Sequence, residues 1–185
     1  MTEDGGALLK VTRVEICDAD AGWKLIGPLE ADVYTPAVLA AAPWRDVVWS
    51  HADLRAIVWR EDDPIPVAHV GLYFRDGLGD GRPQRLGGIG GVMTRTNLQG
   101  RGFASAAMAA AEQALRQAGD IDLGVLFCEP RLAPFYVRRG WRPLAAPVFV
   151  DQPAGRQQFT VAGAMVLELA GRAPAQELDL CGRPW

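Results

Sequence analysis

Cysteine is scarce in this chain of 185 residues, and the three that are present form no recognisable pattern. Cys17, Cys128 and Cys181 lie far apart and are odd in number, which fits neither the spacing of zinc ligands nor a framework of paired disulfides. We therefore predict a protein without a metal site that works in a reducing cytoplasm.

Long apolar runs are also missing, because no stretch approaches the roughly 18 consecutive apolar residues of a membrane helix. Residues 1–6 are acidic and rich in glycine, unlike the basic and then apolar start of a signal peptide. Hydrophobic residues at 49% and charged residues at 22% are ordinary for a globular protein. We expect a single domain over residues 1–185 that buries a sizeable core and does not contact membranes.

Basic residues are too dispersed for nucleic-acid binding, since the net charge is −3 and the one basic cluster is Arg138–Arg139. The charge is nevertheless uneven along the chain. Residues 1–92 carry 9 Lys and Arg against 14 Asp and Glu, whereas residues 93–142 carry 7 arginines against 4 acids. A polyanionic ligand at the basic middle and a cationic ligand elsewhere fit this asymmetry, and a random surface distribution is the alternative.

Two signatures of nucleotide-binding loops are absent, the Gly-x-Gly-x-x-Gly motif and the Walker lysine. A different loop is present, because an apolar run ending at residues 92–94 leads through the Gln-x-x-Gly-x-Ala segment Gln99–Ala104 into an alanine-rich stretch. A strand that passes into a helix through small residues leaves backbone N–H groups unpaired at the positive end of the helix dipole. This segment therefore predicts a phosphate or pyrophosphate site.

Apolar periodicity predicts the order of the secondary-structure elements. Strands are expected at residues 8–16, 54–60, 67–74, 85–94 and 123–128, and residues 141–150 and 158–169 are expected to pair as two final strands. Helices are expected at 20–42, 104–118 and 131–139, the first interrupted at Gly27-Pro28 and Thr35-Pro36, with a hairpin loop at 76–83. The dense glycines of the fourth strand indicate a bulge or a close ligand, at Gly87, Gly88, Gly90 and Gly91. The order predicts a mixed α/β (α+β) domain.

Three motifs in this order resemble the GNAT superfamily of acyl-CoA N-acyltransferases. They are the loop Gln99–Ala104, the apolar strand Leu123–Cys128, and the run Phe135-Tyr136 followed by Gly140-Trp141. The resemblance implies a GNAT fold with a mixed sheet of six to seven strands, flanking helices and a V-shaped split between strands four and five. It places the acyl-CoA core at about residues 54–150. It also implies an acetyl-CoA-dependent N-acetyltransferase that transfers directly to a primary amine of a small molecule. A non-catalytic acyl-CoA-binding or sensing module on the same fold is the alternative.

The resemblance also implies where acetyl-CoA binds. The pantetheine arm would pair with the backbone of strand four, and the pyrophosphate would lie on the loop and the first turn of the helix. The residues concerned are Val92, Met93, Thr94, Gln99, Gly100, Arg101, Gly102, Phe103, Ala104 and Ser105. Arg138 and Arg139 are further candidates for the phosphates, although at least one of them is expected to be an exposed helix charge.

Proton transfer needs an acid for the departing thiolate and a base for the amine. The family motif places Tyr136 as the acid. The base is left open between Glu129, directly after strand five, and His69, whose apolar neighbours indicate a packing role instead. His51 is expected at the surface, and Cys128 is expected to be a buried, inert thiol.

A second, looser resemblance is to the aminoglycoside 2′-N-acetyltransferases. It rests on Trp49-Ser50-His51, Gly91–Arg95 and the tryptophan at position 185, and it departs from that group at Gly90, where the group has a glutamate. The resemblance implies an aminoglycoside-type acceptor, and the departure at Gly90 counts against it.

Selection of the acceptor is expected from the helices at 20–46, the loop at 76–83 and the tail at 171–185. Carboxylates that could pair with a cationic amine are those of Asp32, Asp46, Glu177, Asp179 and the terminal group of Trp185. Tyr34, Trp44 and Trp49 either line the acceptor pocket or close the core. A homodimer is left open.

Overall fold

The computed structural model describes residues 11–61 and 63–185. In these ranges the strands are β1 (Val11–Asp18), β2 (Leu54–Arg60), β3 (Ala68–Gly79), β4 (Arg82–Thr94), β5 (Leu123–Cys128), β6 (Arg142–Pro143), β7 (Val148–Gln152), β8 (Gly155–Gln158), β9 (Gly163–Glu168) and β10 (Leu178–Asp179). The α-helices are α1 (Ala19–Val33), α2 (Pro36–Ala41), α3 (Phe103–Ala118) and α4 (Ala133–Val137), and short 3₁₀ turns lie at Thr96–Leu98 and Pro130–Leu132.

All of these strands join one curled sheet. From one edge its order is β1, β2, β3, β4, β5, β9 and β6, while the far half of β3 also pairs with β10, which continues to β7 and β8. The neighbours are antiparallel except for β4 with β5 and β10 with β7. The mixed α/β sheet with flanking helices that the sequence predicts is confirmed, with more strands than the six to seven expected.

Helix α3 packs on one face of the sheet through a stripe of apolar side chains. Phe103, Met108 and Leu115 are fully buried and share a core with Val70 and Leu72 of β3. Burying side chains of this size contributes about 1.5–3 kcal/mol each relative to exposure. Glycines in the left-handed conformation bound this helix at both ends, as the sequence indicates for its end at Gly119.

Helix α1 packs on the opposite face of the sheet. The Asp18 carboxylate caps it by accepting the N–H groups of Asp20 and Ala21, and Ile26 and Leu29 bury its inner side. The expected break at Gly27-Pro28 is wrong, because Pro28 lies inside the helix between the buried side chains of Ile26 and Leu29. Burial of both neighbours holds the helical path despite the lost backbone hydrogen bond.

The second expected interruption, at Thr35-Pro36, is confirmed, since Thr35 caps the separate helix α2. The first expected strand is also confirmed from Val11 onward, while its residues 8–10 lie outside the described residues.

The hairpin expected at residues 76–83 is present, but its turn is shorter than expected. Strands β3 and β4 pair from Ala68↔Thr94 to Gly79↔Arg82, and Asp80 and Gly81 form the turn. Both turn residues have positive φ, at 50° and 72°, the geometry that suits an Asp-Gly hairpin turn. The Asp80 carboxylate accepts three N–H groups of residues 175–177 and so attaches the tail to this turn.

The expected pairing of residues 141–150 with 158–169 is confirmed in part, since β6 at residues 142–143 pairs with β9. Residues 148–152 instead form a hairpin with residues 155–158. Gly155, at φ 101°, directly follows the turn of that hairpin and favours a tight reversal over a long extended run. No helix in the described part of the chain is long and apolar enough to cross a membrane.

Candidate active site

The parallel strands β4 and β5 separate part-way along their length. They pair from Leu86↔Leu123 to Ile89↔Leu126, and beyond that point β5 continues to pair with β9. Within residues 11–61 and 63–185, the β4 backbone from Gly90 to Thr94 has no partner strand on its β5 side. This separation is the V-shaped split expected between strands four and five.

A bulge in β4 lies at the opening of the split. The register with β3 shifts between His69 and Gly71, and Gly91 takes φ +55°. The neutral His69 ring holds this bulge, because its Nδ1–H donates to the Gly91 carbonyl at 2.8 Å. The other ring nitrogen lies 3.0 Å from Arg55 Nη1, and a guanidinium can only donate, so this nitrogen accepts.

Burial lowers the pKa of His69 to about 4, so the ring is neutral near pH 7. Because Arg55 already occupies its accepting nitrogen, His69 has no free nitrogen to take a proton from an amine. The structure therefore favours the packing role over the base for this histidine.

Arg55 itself is a buried positive charge, with 6% of its surface exposed. Its Nε donates to the Ala19 carbonyl at 2.9 Å, and its guanidinium lies 5.0 Å from the Trp23 ring centroid. Among the described residues it forms no ion pair with a carboxylate.

The loop before α3 is open to a ligand. Gly100 and Gly102 adopt φ of 75° and 88°, and nothing lies within 4 Å of where a Cβ would stand on either. The first turn of α3 has no capping side chain and no acidic residue, so its N–H groups are free to meet an anion. The Phe103 side chain is buried in the core, so that residue offers only its backbone.

A buried hydroxyl on β4 also lacks a partner. Thr94 Oγ1 is inaccessible to solvent and makes no hydrogen bond within residues 11–61 and 63–185. The Thr94 carbonyl receives the Gln99 side chain at 3.4 Å, which joins the end of β4 to the loop, while Arg101 is exposed beside it. A buried polar atom without a partner, next to the free β4 edge, fits a site whose ligand supplies that partner.

Tyr136 lies on α4, which follows β5 across the split. Tyr136 is 5% exposed, and burial raises the pKa of its hydroxyl well above the usual range for tyrosine. The hydroxyl has no hydrogen-bond partner in the part of the chain that the structure describes. Its backbone carbonyl accepts the N–H groups of Arg139 and Trp141 at 2.9 and 3.2 Å.

A buried carboxylate fixes α4 to α3. Glu112 of α3 accepts two hydrogen bonds from Arg139, at 2.9 and 3.0 Å, and a third from Trp141 Nε1 at 2.9 Å. Arg139 is therefore engaged with Glu112 and unavailable for a cofactor phosphate, while Arg138 is exposed, as expected for one of the pair.

The other candidate groups for proton transfer are placed as follows. The Glu129 carboxylate is half-exposed and pairs with Arg131 Nε at 2.7 Å, directly after β5. His51 is exposed. Cys128 is buried against the Met165 sulfur at 3.6 Å, and burial raises the pKa of its thiol, which fits an inert thiol.

The side-chain carboxylates proposed for a cationic acceptor all have other partners. Asp32 accepts the Thr96 N–H at 2.7 Å, and this bond lowers the pKa of Asp32. Asp46 is exposed beside Arg45. Glu177 and Asp179 both pair with Arg156. None of these four is free to form an acidic pocket.

Aromatic side chains that the sequence analysis did not single out lie at the split. The Trp185 indole is buried on the face opposite α3, stacks on Tyr73 at 5.7 Å, and donates its Nε1–H to the Val125 carbonyl at 3.0 Å. A Cβ on Gly88 would stand 2.3 Å from the Trp185 ring, and one on Gly90 would stand 2.7 Å from its carbonyl carbon. The dense glycines of β4 were the signal of this close approach.

Comparison with known proteins adds the following findings. Residues 23–141 match the model of the acetyltransferase (GNAT) family. The chain is 35% identical over 112 residues to an aminoglycoside 2′-N-acetyltransferase from Mycolicibacterium fortuitum, and the match covers 60% of this chain and 55% of that protein. The chain thus spans about half the length of this curated relative.

Solved structures share the fold. ElaA from Escherichia coli superposes with a TM-score of 0.58 at 15% identity, covering 84% of this chain and 99% of that one. YhbS from Escherichia coli, a GNAT family N-acetyltransferase solved in complex with CoA, superposes with a TM-score of 0.56 at 16% identity, covering 92% and 90%. NAA60 from Arabidopsis thaliana, solved with a bisubstrate analogue, gives 0.56 at 11% identity, covering 86% and 100%. At these identities the likeness shows the fold alone.

Proposed function

The chain belongs to the GNAT family of acetyltransferases, and from this premise we propose that it transfers an acetyl group from acetyl-CoA to the primary amine of a small molecule. The observation that carries the proposal is the split itself. The unpaired edge of β4 leads directly into an uncapped helix N-terminus, so one continuous surface offers backbone groups to an extended arm and to an anion.

The donor side of the site is built from backbone groups. An extended pantetheine arm would add to the free edge of β4 at Val92, Met93 and Thr94 as a further strand does, and the Thr94 hydroxyl would gain a partner there. The pyrophosphate would lie on the N–H groups from Gly100 to Ser105. The excess of arginine over acid in residues 93–142 supports an anionic ligand at this place.

The chemistry needs one new bond and two proton transfers. Acetyl-CoA supplies an activated acetyl thioester. The neutral amine nitrogen bonds to the acetyl carbon while the carbon–sulfur bond breaks, so the thiolate leaves and the nitrogen loses a proton. Tyr136 is the proposed donor to the sulfur, because a tyrosine with a raised pKa is fully protonated at pH 7, and Glu129 is the proposed acceptor of the amine proton through water.

The side chains near the site favour direct transfer of the acetyl group to the amine over an acyl-enzyme. Cys128 is the thiol near Tyr136, and it is buried with a raised pKa, which disfavours an acyl-enzyme at that sulfur. A ternary complex of protein, donor and amine is therefore the proposed reacting species.

Thiol release with acetyl-CoA and a panel of primary amines tests this function, together with the Tyr136→Phe variant. We expect turnover with at least one amine and a fall in kcat of about 10²-fold in the variant, the usual scale of one general acid. The dissociation constant of CoA should be unchanged by the variant. Binding of acetyl-CoA without turnover on any amine would instead indicate an acyl-CoA-binding module.

A further inference from the structure

Six aromatic contacts connect side chains from five separate parts of the chain into one series. Neighbouring ring centroids lie 4.5–6.5 Å apart, within the usual range for aromatic pairs. In order, the rings are those of Tyr34, Trp44, Trp49, Phe159, Phe127, Trp185 and Tyr73. We call this set the aromatic wall.

The aromatic wall borders the split on the face opposite α3. Phe127 is the first residue of β5 beyond its pairing with β4, and the Tyr73 ring lies 3.1 Å from the Cβ position of Gly90 on β4. Trp185 lies between these two rings, at 6.5 and 5.7 Å. The wall therefore stands on both sides of the opening, where an acceptor has to approach the thioester.

Several rings of the wall remain partly open to solvent. Trp185 and Phe159 are buried beneath the surface, whereas Tyr34, Trp44, Trp49, Tyr73 and Phe127 are each half-buried. Half-buried rings retain apolar surface that a ligand can still cover, which a closed core does not.

Hydroxyl groups meet the same opening. The chain has three tyrosines, and none of their hydroxyls has a hydrogen-bond partner in the part that the structure describes. Burial raises the pKa of Tyr73 to about 12, and the neighbouring Tyr34 raises the pKa of both Tyr73 and Tyr136. Tyr73 of β3 and Tyr136 of α4 flank the split, and at neutral pH all three hydroxyls are protonated donors.

Charges of both signs surround the wall. Arg55 acts on Tyr73 from inside the protein, and Arg75 lies 5.3 Å from the Trp185 ring centroid. Asp53 accepts the Phe74 N–H at 2.7 Å, and the carboxylates of Asp53 and Asp151 act on Arg75. Burial of an ammonium group against the apolar rings favours loss of its proton, and the neutral amine is the form that attacks.

We propose that the acceptor of this site is an arylalkyl monoamine, whose flat apolar body packs on the aromatic wall and whose single amine reaches the split. The inference rests on the proposed acetyl transfer and names its substrate class. A polyhydroxylated polyamine has no apolar ring to cover the wall, and its polar groups would lose water against these rings.

Steady-state thiol release at saturating acetyl-CoA tests the substrate class. The probes are 2-phenylethylamine and tryptamine, with hexylamine as a ring-free monoamine, spermidine as a polyamine and kanamycin as an aminoglycoside. We expect kcat/KM for the two arylalkylamines to exceed that for the other three at least tenfold. A tenfold preference for spermidine or kanamycin would overturn the inference and leave the acetyltransferase function standing.

Variants of the wall give an independent readout. Trp44→Ala should raise KM for tryptamine about tenfold with kcat and KM for acetyl-CoA nearly unchanged, and Trp44→Phe should recover most of the loss. Trp23→Ala is the matched control, because Trp23 is half-exposed on α1 and lies outside the wall. Equal effects of Trp44→Ala and Trp23→Ala would count against the wall.

A binding measurement separates the two proposals. If CoA binds but no amine is acetylated, the proposed function fails. A change of tryptophan fluorescence on adding 2-phenylethylamine to the CoA complex, lost in Trp44→Ala, would then still support an arylalkylamine site. Absence of such a change would overturn it.

Discussion

Removal of the Glu112 carboxylate should loosen the helix that carries Tyr136. Glu112 accepts three hydrogen bonds from Arg139 and Trp141, and the Glu112 and Arg139 side chains are only 9% and 16% exposed. Removing one partner of a buried ion pair leaves the other charge without compensation and costs about 3–5 kcal/mol. For a chain of this length that loss lowers Tm by about 10 °C.

Loss of the Glu112 carboxylate should also affect catalysis, because its partners Arg139 and Trp141 contact the backbone of Tyr136. The N–H groups of Arg139 and Trp141 both donate to the Tyr136 carbonyl, so a change in either displaces the proposed acid. Glu112→Ala should therefore lower kcat more than it raises KM for acetyl-CoA, because the loop before α3 is not part of this network.

A double-mutant cycle isolates the pair. Urea unfolding of Glu112→Ala, Arg139→Ala and the double variant should give a coupling of about 2 kcal/mol, within the usual range for residues of one network. Asp46→Ala, which removes an exposed ion pair with Arg45, is the control and should cost less than about 1 kcal/mol. Additive effects of the two substitutions would refute the reasoning.

Two further predictions concern β4 and the residue that holds its bulge. Gly88→Ala should destabilise the protein by about 1–3 kcal/mol in urea unfolding, because the added methyl overlaps the Trp185 ring. Gly27→Ala, with nothing near its Cβ position, should instead stabilise it, and equal effects of both would contradict this account. The pKa of His69 is about 4 in the folded protein and about 6.5 unfolded, so stability is complete above pH 6.5 and falls as the pH drops toward 4. Urea unfolding should show a loss of about 3 kcal/mol over this range that His69→Asn removes, and an equal loss in the variant would assign the pH dependence to other groups.

The parts of the fold that depend on local pattern were predictable from the sequence. Strands β2 and β5 begin and end at the expected residues, since their apolar runs are bounded by polar residues on both sides. The end of α3 at Gly119 follows from the conformational freedom of glycine.

The parts that depend on distant partners were not predictable in this way. The glycines of residues 76–83 favour a longer loop locally, but Gly77 and Gly79 lie in β3 because β10 from the tail pairs with this end of the strand. Pro28 likewise stays helical because the sheet buries its neighbours.

The candidate site also combines a part set by local sequence with a part set by distant residues. The loop Gln99–Ala104, which leads from β4 into α3, was predictable because its small residues mark such a passage in sequence. The aromatic wall was predictable only in part. Tyr34, Trp44 and Trp49 are candidates from sequence, but Tyr73 and Trp185 stack across more than one hundred positions.

The central claim is that the split between β4 and β5 holds acetyl-CoA, and calorimetric titration of acetyl-CoA into the full chain tests it most directly. Ser105→Asp places a carboxylate in the first turn of α3, which the helix dipole stabilises but a pyrophosphate repels. The claim predicts one binding site that Ser105→Asp weakens at least tenfold without lowering Tm, and that Ala109→Asp, on the exposed side of the same helix, leaves intact. Absence of binding to the folded protein, or equal binding by both variants, would contradict it.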